Sequence, residues 1–307
     1  MWRSEQRTNR LSPFRAPPLA DRIAELRRLA RSRRWEGLDS DHVADLLTDD
    51  WLGAGPLRLD ETLTLDELAG AVLLHNVRGL LLATRERGVV PEAPTGSGSR
   101  MPTEQHSSFE PLGFMREVRT GFDSVLGPVV DPLHWTQALA EVAGLVVRTP
   151  GGFALTLEGE RLAASGQAGE LYARLFRTFF RSFDLAYTDR FPGLAEIQDL
   201  VPYWLWVMAG ARGAAFLSAD FYVHIFTPEP GRLDEAAAPA RLRYLIQARV
   251  LDALADFGLL EPKLGDDERE ELGDVGFRPT PLFGRFLRFE LPPPVPGLQR
   301  GHLSLLR

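Results

Sequence analysis

The chain is predicted to be mainly α-helical, with two winged-helix-like units, and a third, degenerate relative, set around a central aromatic helix. Three observations predict it. The segment ELYARLFRTFFRSFDLAY puts Tyr172, Leu175, Phe176, Phe179, Phe180 and Phe183 on one helical stripe, with Arg174, Arg177 and Arg181 opposite. The run GLVVRTPGGFALTLEGERLAASG (144–166) reads as a helix stop, two short β segments about Pro150, Gly151 and Gly152, and a new helix. A similar order returns as GLLEP and GFRPTPLFGRFL near the C-terminus.

Size and composition support a folded body with ample core. At 307 residues and 44% hydrophobic content, the chain exceeds one typical domain. It contains no cysteine, so disulfides, thiolate nucleophiles and cysteine-based zinc sites are excluded together. The longest apolar run, VPYWLWVMAGA (201–211), stops well short of the roughly 20 residues that span a bilayer. The charged N-terminus MWRSEQRTNR lacks a following apolar stretch, which argues against a secretory signal. These features lead to the expectation of a cytoplasmic protein with no membrane contact.

Charge is unevenly placed. Ten arginines against three carboxylates give residues 1–34 a charge of +7, and since the whole chain carries −7, the remainder carries −14. A basic arm on an acidic body fits a segment that reaches a polyanion. It equally fits a solvated helix face, because Ile23, Leu26, Leu29 and Ala30 give Arg22–Arg34 an apolar side. Lys263 is the only lysine, a bias that reflects a GC-rich genome more than function.

The elements follow in order. The basic arm (1–34) leads into a helical unit (35–90), in which 39–52 and 65–87 have helical spacing, Thr64 and Glu67 form a capping pair, and Gly88 is the stop. Residues 91–111 are rich in Pro, Gly and Ser and read as a linker or loop; GSGSR (96–100) lacks the preceding strand and the GK[ST] ending of a phosphate loop. The first winged-helix-like unit plus the aromatic helix occupies 112–190. Its helix carries Trp135, Ala138, Leu139, Val142 and Ala143 and stops at Gly144. The second unit occupies 191–290: Leu242, Leu245, Ile246, Val250, Ala253, Leu254 and Phe257 share one face of a helix that stops at Gly258. Pro202 is expected to kink or break the aromatic stretch containing Tyr203, Trp204 and Trp206. A Pro-rich tail (291–307) closes the chain.

The segment LYARLFRTFFRSFDLAY, together with TLEGERLA before it, resembles an uncharacterised family of bacterial helical proteins that share an LY..LF.TFF..F..AY helix after a winged-helix-like unit. The resemblance covers the middle third to two thirds of the chain and rests on packing motifs. It implies a helical fold and brings no catalytic residue and no substrate.

Chemistry is sparse. His42, His75, His106, His134, His224 and His302 form no HExxH or other local metal-ligand pair, and GxSxG is absent. His75 and Asn76 on an apolar helix read as a core polar pair satisfied by backbone groups. The sequence therefore predicts no enzyme, no cofactor and no metal site. A duplex-binding surface would draw on Arg241, Arg243, Gln247 and Arg249 in the second unit and Arg148 in the first hairpin. Against it, the second hairpin's loop holds Asp266, Asp267, Glu268, Glu270, Glu271 and Asp274 with only Arg269 in balance, a local charge of −5 facing phosphate. The first-ranked expectation is a non-catalytic interaction or assembly protein with a protein partner or homo-oligomer. A DNA-binding regulator using the helix Arg241–Phe257 and the basic arm ranks second, and an enzyme with a dispersed site third.

Overall fold

The computed structural model describes residues 12–33, 35, 37–92, 111–112, 132–189, 194–210, 217–225, 239–263 and 275–292. The start of the basic arm, the GSGSR loop with most of the linker, the acidic hairpin loop and most of the tail lie outside the described residues. The fold is mainly helical, and the described residues form three small antiparallel sheets.

Helices α1 (Leu19–Ser32) and α2 (Ser40–Thr48) open the described chain. Asp39 caps α2 by accepting from the backbone N–H groups of Asp41 and His42. Strand β1 (Leu57–Leu59) follows. Thr64 and Glu67 make the expected reciprocal bonds, but around turns: the helix α3 itself spans Val72–Arg87 and stops at Gly88, whose φ of 77° suits glycine.

Helix α4 (Pro132–Val142) leads through Gly144, at φ 69°, to the hairpin of β2 (Val146–Thr149) and β3 (Gly152–Leu155). Its register pairs Val146 with Leu155 and Thr149 with Gly152, so Pro150 and Gly151 make the turn. Thr156 caps the short helix α5 (Leu157–Leu162). The aromatic helix α6 (Ala168–Arg177) continues as a π-helical turn over Thr178–Ser182. Short helices α7 (Ala186–Asp189) and α8 (Glu196–Asp199) lead to α9 (Val201–Gly210). Pro202 lies in the first turn of α9, where its missing N–H has no helical partner to lose, so it begins the helix and does not break it.

The remaining elements end in a second hairpin. Helices α10 (Ala219–Ile225) and α11 (Pro239–Ile246), a π-helical turn over Gln247–Leu251 and α12 (Asp252–Asp256) lead to Gly258, at φ 73°. Strands β4 (Leu260–Pro262) and β5 (Phe277–Pro279) form the second hairpin, followed by α13 (Pro281–Phe286) and β6 (Leu287–Phe289). Strand β6 pairs antiparallel with β1, Leu57 opposite Phe289, and ties the two ends of the fold together.

Among the described residues one hydrophobic core cluster draws on nearly all of these elements, the aromatic helix included. Tyr172, Leu175, Phe176, Phe179, Phe180 and Phe183 are all buried. Trp135 of α4 meets Phe179 and Phe183 edge-on, while Phe257 and Phe286 from the second half pack on Phe176. The Tyr172 hydroxyl donates to the carbonyl of Phe257 at 2.6 Å. Trp51 stacks on Phe176 from a third side.

Candidate functional site

Each hairpin is built by the same set of bonds. Leu145 N–H donates to the Ala140 carbonyl and Leu259 N–H to that of Leu254, both at 2.9 Å. Thr156 N–H donates to the Leu145 carbonyl and Thr280 N–H to that of Leu259. The Thr156 hydroxyl donates to the Gly144 carbonyl at 2.8 Å, and the Thr280 hydroxyl to that of Gly258 at 2.7 Å. A single extended residue from an earlier segment joins each second strand. Val90, just after Gly88, exchanges two backbone bonds with Phe153; Leu217 does the same with Phe277. Phe153 and Phe277 therefore occupy matching positions, as do Val147 and Glu261, Ala154 and Arg278, and Leu157 and Pro281.

The glycines of the two closing helices do not match. A Cβ on Gly159 would lie 2.0 Å from the Leu145 carbonyl oxygen, whereas one on Gly284 would meet nothing within 4 Å. Gly159 is thus required by a close backbone approach and Gly284 is not.

The outer faces of the hairpins differ in kind. On the second, Glu261 and Arg278 pair across the strands at 2.9 Å. On the first, the matching position Val147 is 50% exposed, and Leu157, the first residue of α5, is 93% exposed. A signal for this was present in the sequence: consecutive valines in LVVRT place one of them on the outward side of an alternating strand.

The residues predicted for a duplex surface are dispersed. Gln247 is fully buried and Arg249 is 2% exposed, its guanidinium donating to the Leu194 carbonyl at 3.3 Å. Arg243 pairs with Asp220 at 2.6 Å, and Arg241 is exposed. Arg148 lies between Glu141 and Glu92, whose hydrogen bonds raise its pKa, and its guanidinium sits over the Phe153 ring. On α4, His134, Thr136 and Gln137 are likewise buried, and His134 Nε2 lies 2.6 Å from the Tyr187 hydroxyl. His134, Thr136 and Gln137 on the first of these helices, and Gln247 and Arg249 on the second, are consequently turned into the protein, while Arg241 is not.

A buried ionic cluster, with no signature in the sequence, braces the N-terminal segment. The Asp199 carboxylate accepts from Arg15 at 2.6 Å and from Arg22. Backbone bonds from Arg15 to Ser182 and from Asp184 to Pro13 lay this segment along the end of the aromatic helix. Burial lowers the pKa of Arg15, with Asp199 opposing. Arg181, expected on the solvent side of the stripe, is 5% exposed. The π-helical turn adds a residue to its helical repeat and rotates that side chain inward. Arg181 donates to the carbonyls of Leu46 and Leu47 at the C-terminal end of α2, where the helix dipole favours a cation, and lies 4.4 Å from the centre of the Trp51 ring. Burial pushes its guanidinium down to about 9, opposed by Asp49 and Asp199. Burial also raises the Asp49 carboxyl, although it accepts from the N–H groups of Leu57 and Trp51 at 2.9 and 2.8 Å.

His75 and Asn76 have backbone partners. Asn76 both donates to the Leu112 carbonyl and accepts from its N–H, and a His75 ring nitrogen lies 3.1 Å from the Ala69 carbonyl. Among the described residues no group of three or more His, Asp or Glu is placed to hold a metal ion, and no helix is long and apolar enough to cross a membrane. No protein-family description, curated protein or solved structure matches the chain.

Proposed function

We propose that the protein is a non-catalytic assembly module built on two winged-helix-like units, and that the outer face of the first wing contacts a protein partner or a second copy. A bridging residue, a helix that stops at a glycine, a hairpin and a Thr hydroxyl donating back to that glycine's carbonyl are met twice, although an extra helix, α10, stands before the second helix and only Thr156 caps its helix through its side chain; the shared features support the tandem reading. One observation carries the function. Where the second wing solvates its outer face with the Glu261–Arg278 pair, the first presents Val147 and Leu157 to solvent. The burial of Gln247 and Arg249 and the pairing of Arg243 and Arg148 leave little cationic surface on the two wing-bearing units for the duplex reading.

The test grafts the second wing's pair onto the first with Val147→Glu and Ala154→Arg. Size-exclusion chromatography with light scattering, and copurification, should reveal a homodimer or a stable partner for the wild type and loss of that species in the double variant. The melting temperature should hold. Unchanged association in the graft variant would remove the wing from the interface. Tight, salt-dependent duplex binding that disappears in the Arg241→Ala, Arg243→Ala variant would move the regulator reading to first place.

A further inference from the structure

We infer that the outward face of α1 is a second contact surface, which takes a short acidic segment of a partner protein; the inference rests on the proposed assembly role. Elsewhere the exposed arginines are largely neutralised: Arg58 lies on Glu290, Arg161 on Glu158 and Glu170, and both Arg285 and Arg288 on Asp60. Helix α1 differs. Arg27, Arg28 and Arg31 are exposed, and among the described residues Arg27 and Arg31 have no carboxylate within ion-pair distance, while Arg28 has only Glu25 at 3.9 Å. Leu26 and Ala30 face the core, so the three guanidiniums stand on the opposite side. Arg31 complements the helix C-terminus, Arg28 has only its long contact with Glu25, and Arg27 has no ion pair among the described residues.

Dimensions decide the partner. Arg27 and Arg31 are one turn apart, so the strip extends only about 6 Å along the axis. Ala20 and Ala24 continue the same strip without charge, and exposed Asp21 and Glu25 border it. A duplex, with a charge every ~1.7 Å of its axis, would overrun this patch onto carboxylates of a body that carries −14 outside residues 1–34. An acidic segment with two or three carboxylates matches three guanidiniums and ends where they end. Arginine also favours bidentate pairing with carboxylate.

Fluorescence anisotropy with a labelled short peptide made only of Glu and Asp, and with a labelled short DNA duplex, tests this in the full chain. The wild type should bind the peptide at about 50 mM salt and lose most of that binding by about 200 mM. The Arg27→Ala, Arg28→Ala, Arg31→Ala variant should bind it about ten-fold more weakly. The matching triple lysine variant should recover part of the loss, and Arg278→Ala should change nothing. Equal peptide binding by wild type and triple alanine variant would overturn the inference. So would tighter binding of the duplex, lost in that variant, or a wild-type homodimer that dissociates in it, since either names a different occupant. A graft-sensitive partner that survives the α1 variant would sink this surface while leaving the assembly role intact.

Discussion

Removing the Phe180 ring should cost about 4–5 kcal/mol of folding stability. The side chain is fully buried, and its ring centre lies 5.0 Å from that of Phe176, 4.8 Å from Phe179, 6.1 Å from Phe257 and 6.4 Å from Trp51. Phe→Ala in a core costs about 3–5 kcal/mol, more where the walls cannot close. Here they cannot: Trp51 is held beyond α2, Phe257 is held at the end of α12, and two of the rings belong to the same helix as the site. Phe180→Leu keeps most of the volume and gives up the ring contacts, each worth about 0.5–1.5 kcal/mol, so a loss of about 1–2 kcal/mol is expected. Equilibrium unfolding in urea, followed by far-ultraviolet circular dichroism with m compared between variants, measures both. A loss below about 1.5 kcal/mol for Phe180→Ala would mean that the aromatic helix is not the packing centre of the fold.

Three further outcomes test the local structure. Gly159→Ala should destabilise by more than about 2 kcal/mol because its Cβ meets the Leu145 carbonyl, whereas Gly284→Ala should stabilise by about 0.4–1 kcal/mol; the same denaturation assay reads both, and equal effects would contradict the geometry. Asp199→Ala strands Arg15 and Arg22 without their buried counter-charge and should cost about 3–5 kcal/mol, with hydrogen exchange rising first in the N-terminal segment; slow exchange there would show that the brace is dispensable. Because burial raises the Asp49 carboxyl, the folded state binds this proton more tightly than the unfolded state, and unfolding free energy falls as pH rises above about 4. Wild type should therefore gain stability relative to Asp49→Asn as pH drops from neutral toward that value, and a difference constant with pH would refute the assignment.

Sequence pattern revealed what is local. The stops at Gly88, Gly144 and Gly258 and the first hairpin follow from residue-level rules that act within a few positions. It was silent where structure depends on distant partners. Val90 and Leu217 join their sheets through one residue each, too little for any alternation to register. Strands β1 and β6 meet across most of the chain, and short segments such as LRL and LRF have no feature that selects one another. Arginines misled for a physical reason: a 3.6-residue period puts Arg181 in water, and the period fails at the π-helical turn. The buried side of Arg249 sits on a second such turn. The candidate surface fared better in part, since the outward Val147 could be read from LVVRT, but its meaning came only from comparison with Glu261.

Leu157 offers the cleanest separation of folding from function. Its side chain is 93% exposed, so truncating or charging it forfeits almost no buried area. It also stands at the first position of α5, where the helix dipole favours an acid, and Glu158 and Glu160 already follow that rule. Leu157→Glu should consequently leave stability unchanged or raise it by a few tenths of a kcal/mol. On the proposed assembly role, Leu157 belongs to the contact face of the first wing. The same substitution should then weaken association measured by light scattering or copurification. Destabilisation by more than about 1 kcal/mol would reassign Leu157 to the fold. Unchanged stability with unchanged association would remove it from the interface, and the burden would shift to Val147 alone.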